Sequence, residues 1–335
     1  MPRVGPAAAP MRTAMLDCPA VVGLGEVMLR LSPTAGRRLE NADVLAVHAA
    51  GAEANVLAGL ARLGVSASLV SVLPDTPLGH RAAAELQAAG VDLDHVRWIT
   101  GGRMGTFFVE QGAGPRATTV WYDRSGSAFP EHIDWPSGAL AGAQIAVLSG
   151  ITPALSPAAQ RAAAAMAGEA LASEVTLCID VNYRERLWSA AVARDTLASL
   201  LKQADIVVCA ERDAMLLFGP DAADPAAFQA QWAPRASVCV ITRGEDGCSA
   251  VSERSGPVSM DAIPTTVTDR LGIGDAFVAG LLRSLLAGHD LIEALRAGSA
   301  LAALKATVAG DLSLARADEL DALLATQTPR ANVSR

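Results

Sequence analysis

In the stretch TDRLGIGDAFVAG (268–280) two glycines one residue apart, Gly272 and Gly274, lead into Asp275 and then an apolar run. A helix opening there leaves its first N–H groups without intrahelical partners at the positive end of its dipole. Glycines let an anion reach that bare backbone. The acid has two readings. An aspartate at a helix start is an ordinary N-cap; alternatively, Asp275 takes a proton from a hydroxyl while the neighbouring N–H groups hold developing phosphoryl charge, a reaction that asks chiefly for positioning and electrostatics. The spacing is not G-x-G-x-x-G, because Phe277 stands three residues after Gly274, and no G-K-[ST] follows, so neither dinucleotide binding nor a P-loop is indicated.

Four further stretches carry groups suited to the same chemistry. DVNYRERLW (180–188) starts at the end of an apolar strand, where open α/β sheets place ligands, and offers Asn182, Arg184 and Arg186. Arginine there can fork onto a carboxylate or phosphate, or simply be solvated. WYDRSGSAF (121–129) sets Tyr122, Asp123 and Arg124 together, as surface groups or as a phenol and a cation facing an acidic, hydroxylated ligand. AGAEANVLAGL (50–60) places Gly51 and Asn55 at a helix start, as a cap or as contacts to hydroxyls or an anion. ITRGEDGCSAVS (241–252) is a strand, a turn with Gly244 and Gly247, and a second strand: a hairpin, or one side of a nucleotide cleft. The five histidines show no H-x-x-x-H or H-E-x-x-H spacing and receive no metal role.

The elements that must position these residues alternate. AVVGLGEVMLRLSP reads as a strand, AAGAEANVLAGLARLGV as a glycine turn and helix stopped at Gly64, SASLVSVLP as a strand, and LGHRAAAELQAAGV as a helix stopped at Gly90. This β-α-β-α order implies a mostly parallel sheet with helices on both faces. Between about 95 and 128 the rhythm breaks: VRWIT, MGTFFVEQ and RATTVWYDR are short, aromatic and β-branched, and read as antiparallel strands of an insertion suited to cover a site. Alternation then resumes with QIAVLSG, a helix from Ser156, VTLCIDVN, a helix to about Lys202, DIVVCA, the short helix ERDAMLLFG, and the strands ASVCVITRG and CSAVSE. Helices at about 275–287, 290–308 and 314–325 close the chain, and PDAADPAAF (220–228) reads as a surface turn and helix start.

A chain of 335 residues that is 51 % hydrophobic can fill a large core, which excludes general disorder. Its formal charge of -8, with no dense Lys/Arg block, points to neither nucleic acid nor an anionic membrane as partner. Cys18, Cys178, Cys209, Cys239 and Cys248 have no C-x-x-C spacing, and three of them sit in strand-like apolar runs, as expected of reduced thiols in a cytoplasmic protein. No apolar run approaches the roughly 20 residues of a bilayer span. The N-terminus lacks a signal peptide's apolar core, so residues 1–19 read as a loose extension in which Met11 or Met15 serves as an alternative start.

Taken in order, these segments resemble the PfkB, or ribokinase-like, family of carbohydrate kinases over about residues 20–328, with 329–335 left as a tail. The stretch from Gly51 to Asp92 looks like the family's first signature and VTDRLGIGDAFVAGLL like its second, usually written D-T-x-G-A-G-D-x-F. Within the family, LSGITPALSP (148–157), DVNYRERLW and WYDRSGSAF look most like 2-keto-3-deoxygluconate kinases. The resemblance implies a three-layer αβα sandwich with a mostly parallel central sheet and a small antiparallel β lid built from about 28–50 and 95–128. It implies transfer of the ATP γ-phosphoryl group to the terminal hydroxyl of a sugar acid, magnesium arriving with the nucleotide, and a homo-oligomer paired through the lid. Other members of the fold act on fructose-like ketoses, and a binding protein without catalysis is a third alternative.

Carried over by motif, Asp275 is the catalytic base and Gly272, Ile273 and Gly274 form the anion hole. Gly51, Ala52, Glu53, Ala54, Asn55, Phe107, Tyr122, Arg124 and Arg184 line the sugar-acid pocket. The nucleotide lies across Asn182, Arg184, Thr242, Arg243, Gly244, Gly247, Gly272, Gly274 and Ser299. Three positions depart from the family pattern: Ile273 replaces the alanine between the glycines, Phe107 a frequent tyrosine, and Ala210 the first residue of an N-x-x-E segment that ends here in Asp213.

Overall fold

The computed structural model describes residues 19–112, 114–326 and 331–333. The extension expected at 1–19 lies outside them except for Pro19, as does Cys18. Along the chain run β1 (Val21–Leu24), β2 (Met28–Pro33), β3 (Leu45–Ala50), α1 (Ala52–Arg62), β4 (Ala67–Pro74), α2 (Pro77–Ala89), β5 (Val96–Ile99), β6 (Thr106–Glu110), β7 (Thr119–Asp123) and α3 (Ala128–His132). There follow β8 (Ile145–Ser149), α4 (Pro157–Ala172), β9 (Thr176–Asp180), α5 (Ala190–Leu201), β10 (Ile206–Ala210), α6 (Glu211–Phe218), α7 (Pro225–Trp232), β11 (Val238–Thr242), β12 (Cys248–Ser252) and β13 (Gly256–Met260). The last elements are α8 (Ile273–Leu286), α9 (Leu291–Ala306), α10 (Ala317–Thr326) and β14 (Ala331–Val333).

The large sheet has the order β14-β13-β12-β11-β10-β9-β8-β1-β4-β5, parallel from β11 to β5 and antiparallel from β11 outward to β14. Its central strands, such as β1, β4 and β8, are buried on both faces and feed two cores alternately. In β8, Ile145 and Val147 pack into the core shared with α1, α2, α8, α9 and α10, while Ala146 and Leu148 pack into the one shared with α3 to α7. That period of two explains why near-continuous apolar runs such as IAVLS are strands in a three-layer fold. Within the first core α8 and α9 cross closely, and a methyl on Gly280 would meet the Ala297 carbonyl oxygen at 2.4 Å.

Two expectations are corrected. The run AVVGLGEVMLRLSP is two strands in two sheets: β1 sits inside the large sheet, the chain breaks at Gly25–Glu26, and β2 enters a second sheet of order β3-β2-β6-β7. VRWIT is not part of the insertion, since β5 pairs parallel with β4 at the edge of the large sheet. The small sheet is antiparallel at β2–β3 and β6–β7, and parallel where β2 meets β6. Three strands were not read as such: β3, which fell only within the lid range 28–50, β13, and β14 within the expected tail.

Ligand geometry follows from strand order. β1 is flanked by β4 on one side and β8 on the other, so connections leave it in opposite directions and open a crevice beyond its C-terminal end, as in doubly wound sheets. The small sheet stands over that crevice and is fastened there twice. Arg186 Nη1, in the loop after β9, donates to the Val120 carbonyl at 2.6 Å, and Arg124 Nε meets Glu26 Oε2 at 2.8 Å.

Candidate active site

Helix caps differ along the chain, and α3 and α6 lack a side-chain cap away from the cleft. α2, α4, α5, α7 and α9 are closed by side-chain oxygens of Thr76, Ser156, Ser189, Asp224 and Asp290. α1 and α8 instead begin at Gly51 and Gly272 with no side chain on their first N–H groups, and both starts border the crevice. Free donors at the positive end of a helix dipole are where a phosphate binds. Gly272 holds φ +80°, and a methyl on it would meet the Asp311 carbonyl oxygen at 2.0 Å, so the turn requires glycine.

The crevice is a small cleft with a cavity volume of about 110 Å³ that opens to solvent. It gathers Gly51, Ala52, Glu53, Asn55, Phe107, Tyr122, Arg124, Asn182, Arg184, Gly272 and Asp275 from the expected set. Ala54 is fully buried in the core below it. Ile273 and Gly274 continue into the first turn of α8, beside the cleft lining.

Of the nucleotide set, Asn182, Arg184 and Gly272 line this cleft, whereas Thr242, Arg243, Gly244, Gly247 and Ser299 do not. Thr242 ends β11 beside Ala210 at the end of β10, and the turn from Gly244 to Gly247 follows it. Arg270, on the approach to Gly272, pairs with Glu245 at 3.1 Å and so joins the two glycine turns. Arg243 is engaged inward, with Nε on Glu211 Oε1 at 2.6 Å and Nη2 on Ser249 Oγ at 2.8 Å. Ser299 is buried within α9.

Asp275 keeps partial contact with solvent through the cleft, yet protein surrounds its carboxyl. Asn55 Nδ2 donates to its Oδ2 at 2.6 Å, and Asn55 Oδ1 accepts from Gly51 N–H at 3.3 Å. The asparagine read as a ligand contact thus orients the acid. Burial pushes the Asp275 carboxyl up to about 6, against the Asn55 hydrogen bond and the Arg184 charge. At the end of β9, burial and the Asp275 charge push Asp180 up further, to about 8. Two neighbouring carboxyls therefore differ in acidity, Asp275 losing its proton more readily than Asp180. Asp213, in the departed N-x-x-E segment, accepts from Tyr183 N–H at 3.2 Å, and burial raises its carboxyl.

Glu53 does structural service. Its Oε1 accepts from Ser149 N–H, Ser149 Oγ and Thr152 Oγ1, each at 2.8 Å, tying α1 to the end of β8, and burial pushes the carboxyl up to about 7. Phe107 stacks on Tyr122 with centroids 5.6 Å apart, and the Arg124 guanidinium lies 5.0 Å from the Tyr122 centroid.

Glu26, Met28, Ala50, Ile151, Leu271 and Asp311 complete the lining, and none was anticipated. Glu26 matters most: it is buried, accepts from Ser127 Oγ at 3.1 Å, and engages Arg124. Reading 20–33 as one strand concealed it; the signal was an acid at the end of an apolar strand, directly after glycine. Arg184, in contrast, is exposed and makes no side-chain hydrogen bond or ion pair among the described residues. The described residues contain no group of three or more His, Cys, Asp or Glu able to hold a metal, and no helix among them is long and apolar enough to cross a membrane.

Comparison with known proteins agrees with this architecture. The family model described as pfkB family carbohydrate kinase matches residues 19–317. A 2-dehydro-3-deoxygalactonokinase of Haloferax volcanii is 41 % identical over 311 residues, covering 91 % of this chain and 96 % of that protein. Fructokinase-1 of Oryza sativa subsp. japonica is 32 % identical over 302 residues, 87 % of this chain and 92 % of its own. The crystal structure of 2-dehydro-3-deoxygluconokinase from Thermotoga maritima superposes with a TM-score of 0.85 at 30 % identity, covering 92 % of this chain and 98 % of that one.

Proposed function

The chain belongs to the pfkB family of carbohydrate kinases, and from that premise we propose that it moves the ATP γ-phosphoryl group to the terminal hydroxyl of a 2-keto-3-deoxyhexonate. We take 2-keto-3-deoxygluconate, also called 2-dehydro-3-deoxygluconate, as the leading substrate and its galactonate epimer as the close competitor. The observation that carries this reading is Arg184: an exposed cation at the cleft whose charge is felt by Asp180, Asp213 and Asp275 but which makes no side-chain hydrogen bond or ion pair among the described residues, suited to a substrate carboxylate. The likeness to the galactonate and gluconate kinases supports the same class.

In this reading the sugar acid lies between Arg184 and the Phe107–Tyr122 stack, with its terminal hydroxyl toward Asp275. Asp275, oriented by Asn55, takes the hydroxyl proton as the oxygen attacks the γ-phosphorus and the bond to the departing ADP oxygen breaks. The uncapped start of α8 receives the charge of the transferring group. Magnesium would arrive with the nucleotide, as it is typically bound through substrate phosphates and water. When bound it neutralises charge on the β- and γ-phosphates.

A fructokinase-like reading has one specific support. Glu26 already engages Arg124, so only one of the two cleft arginines is free for a carboxylate. A coupled ADP-release assay over both sugar acids and fructose separates the readings. With the wild type preferring a sugar acid, Arg184→Ala is expected to raise the KM for that acid by about 10- to 100-fold, the worth of a charge-assisted hydrogen bond, and to leave activity on fructose nearly unchanged. A wild type that prefers fructose, with Arg184→Ala barely altering its KM, would sink the sugar-acid assignment.

A further inference from the structure

Beneath the turn from Gly272 to Asp275 lie four charged residues that the transfer above does not use. Arg30, Asp269, Lys305 and Asp311 are 1 %, 3 %, 1 % and 4 % exposed, and they come from β2, the approach to α8, the end of α9, and the segment after α9. Arg30 Nη1 meets Asp269 Oδ2 and Asp311 Oδ1, each at 2.8 Å, while Arg30 Nε donates to Ser32 Oγ at 2.8 Å. Asp269 also accepts from Leu271 N–H and Gly310 N–H, both at 3.1 Å, so one carboxylate joins the approach of the turn to the segment that backs it. The Asp311 carbonyl lies directly behind Gly272, with the Lys305 Cε next to it. Lys305 Nζ donates to the Val308 carbonyl at 3.2 Å and, among the described residues, has no carboxylate within ion-pair distance.

We propose that Arg30, Asp269, Lys305 and Asp311 act as a positioning unit for phosphoryl transfer, fixing the Gly272 turn from behind while the Lys305 ammonium keeps that turn receptive to negative charge. Two cations and two carboxylates balance, so the burial is supportable as a set, and removing one member leaves an uncompensated charge under the anion-binding backbone. The unit acts through Asp275, and therefore rests on Asp275 being the base. The groups facing Asp275 are Asn55 from α1, Asp180 and Arg184 from the end of β9 and its loop, Lys305 from α9, and Asp311 after it. Lys305 and Asp311 bear on it with opposite sign, the first favouring its ionised form and the second opposing it.

That opposition supplies the test. The pH dependence of kcat/KM is measured on the full chain with ATP and the best substrate of the panel above, for the wild type, Lys305→Met and Asp311→Asn. Lys305→Met is expected to lower kcat at pH 7 by about tenfold or more and to move the acidic limb to higher pH. Asp311→Asn is expected to move that limb to lower pH. A purely structural set would depress activity in both variants without opposite displacements; unmoved limbs, or limbs displaced in the same direction, overturn the proposal. Should Lys305→Met fail to fold, as judged by its thermal melt, the downward shift in Asp311→Asn or its absence decides alone. Asp275→Asn belongs in the same series: if it retains turnover, the base assignment falls and takes this proposal with it. If it is inactive while the two limbs stay in place, the base stands and the positioning unit falls.

Discussion

Asp275→Asn is expected to lower kcat by about 10³-fold while the folded structure and ATP affinity persist, because asparagine keeps the size of the side chain and can still accept from Asn55 but cannot take a proton. In the wild type the same group sets an acidic limb. Its carboxyl is pushed up to about 6, so kcat/KM should fall about tenfold per pH unit below that value as the base becomes protonated. Turnover by Asp275→Asn at the wild-type rate would remove the base assignment; a loss of turnover accompanied by a lost ATP-binding isotherm would move Asp275 from chemistry to architecture. The raised carboxyls also link stability to pH. Asp180, ordinarily at 3.8 and held at about 8 in the fold, binds its proton more tightly in the native chain, so its contribution to stability is fully present below the ordinary value and is lost as pH rises through about 8.

Gly272→Ala is expected to destabilise the protein by roughly 2–5 kcal/mol, combining the left-handed backbone penalty with overpacking against the Asp311 carbonyl. Gly274→Ala is the matched control. A methyl there meets nothing within 4 Å, its φ is not left-handed, and it lies in the first turn of α8, so its stability should match the wild type or exceed it by up to about 1 kcal/mol. Denaturant unfolding of the two variants side by side checks the contrast. Equal stabilities would mean that Gly272 is not pressed against Asp311.

The β/α alternation, the glycine stops at Gly64 and Gly90, and the helix at Gly272 were legible because each depends on residues within a turn or two of one another. The break at Gly25–Glu26 was not, because an apolar run and an alternating run join smoothly in one dimension while β1 and β2 diverge into different sheets. The placement of VRWIT was likewise hidden, since a short aromatic strand carries no local mark of which sheet it will join.

The same division runs through the site. The glycine turn, its aspartate and the arginine-bearing loops were legible as types and spacing, while the family followed from the resemblance of their order and from the family model that matches residues 19–317. Which charges are free and which are spent was decided only in three dimensions. Asn55 reaches Asp275 across 220 residues of chain, Arg30 reaches Asp311 across 281, and Glu26 takes up Arg124 from the start of the fold. Local pattern encodes the path of the backbone; burial and pairing are properties of surfaces that meet only after folding, and they set the acidity of Asp275 and leave Arg184 exposed at the cleft.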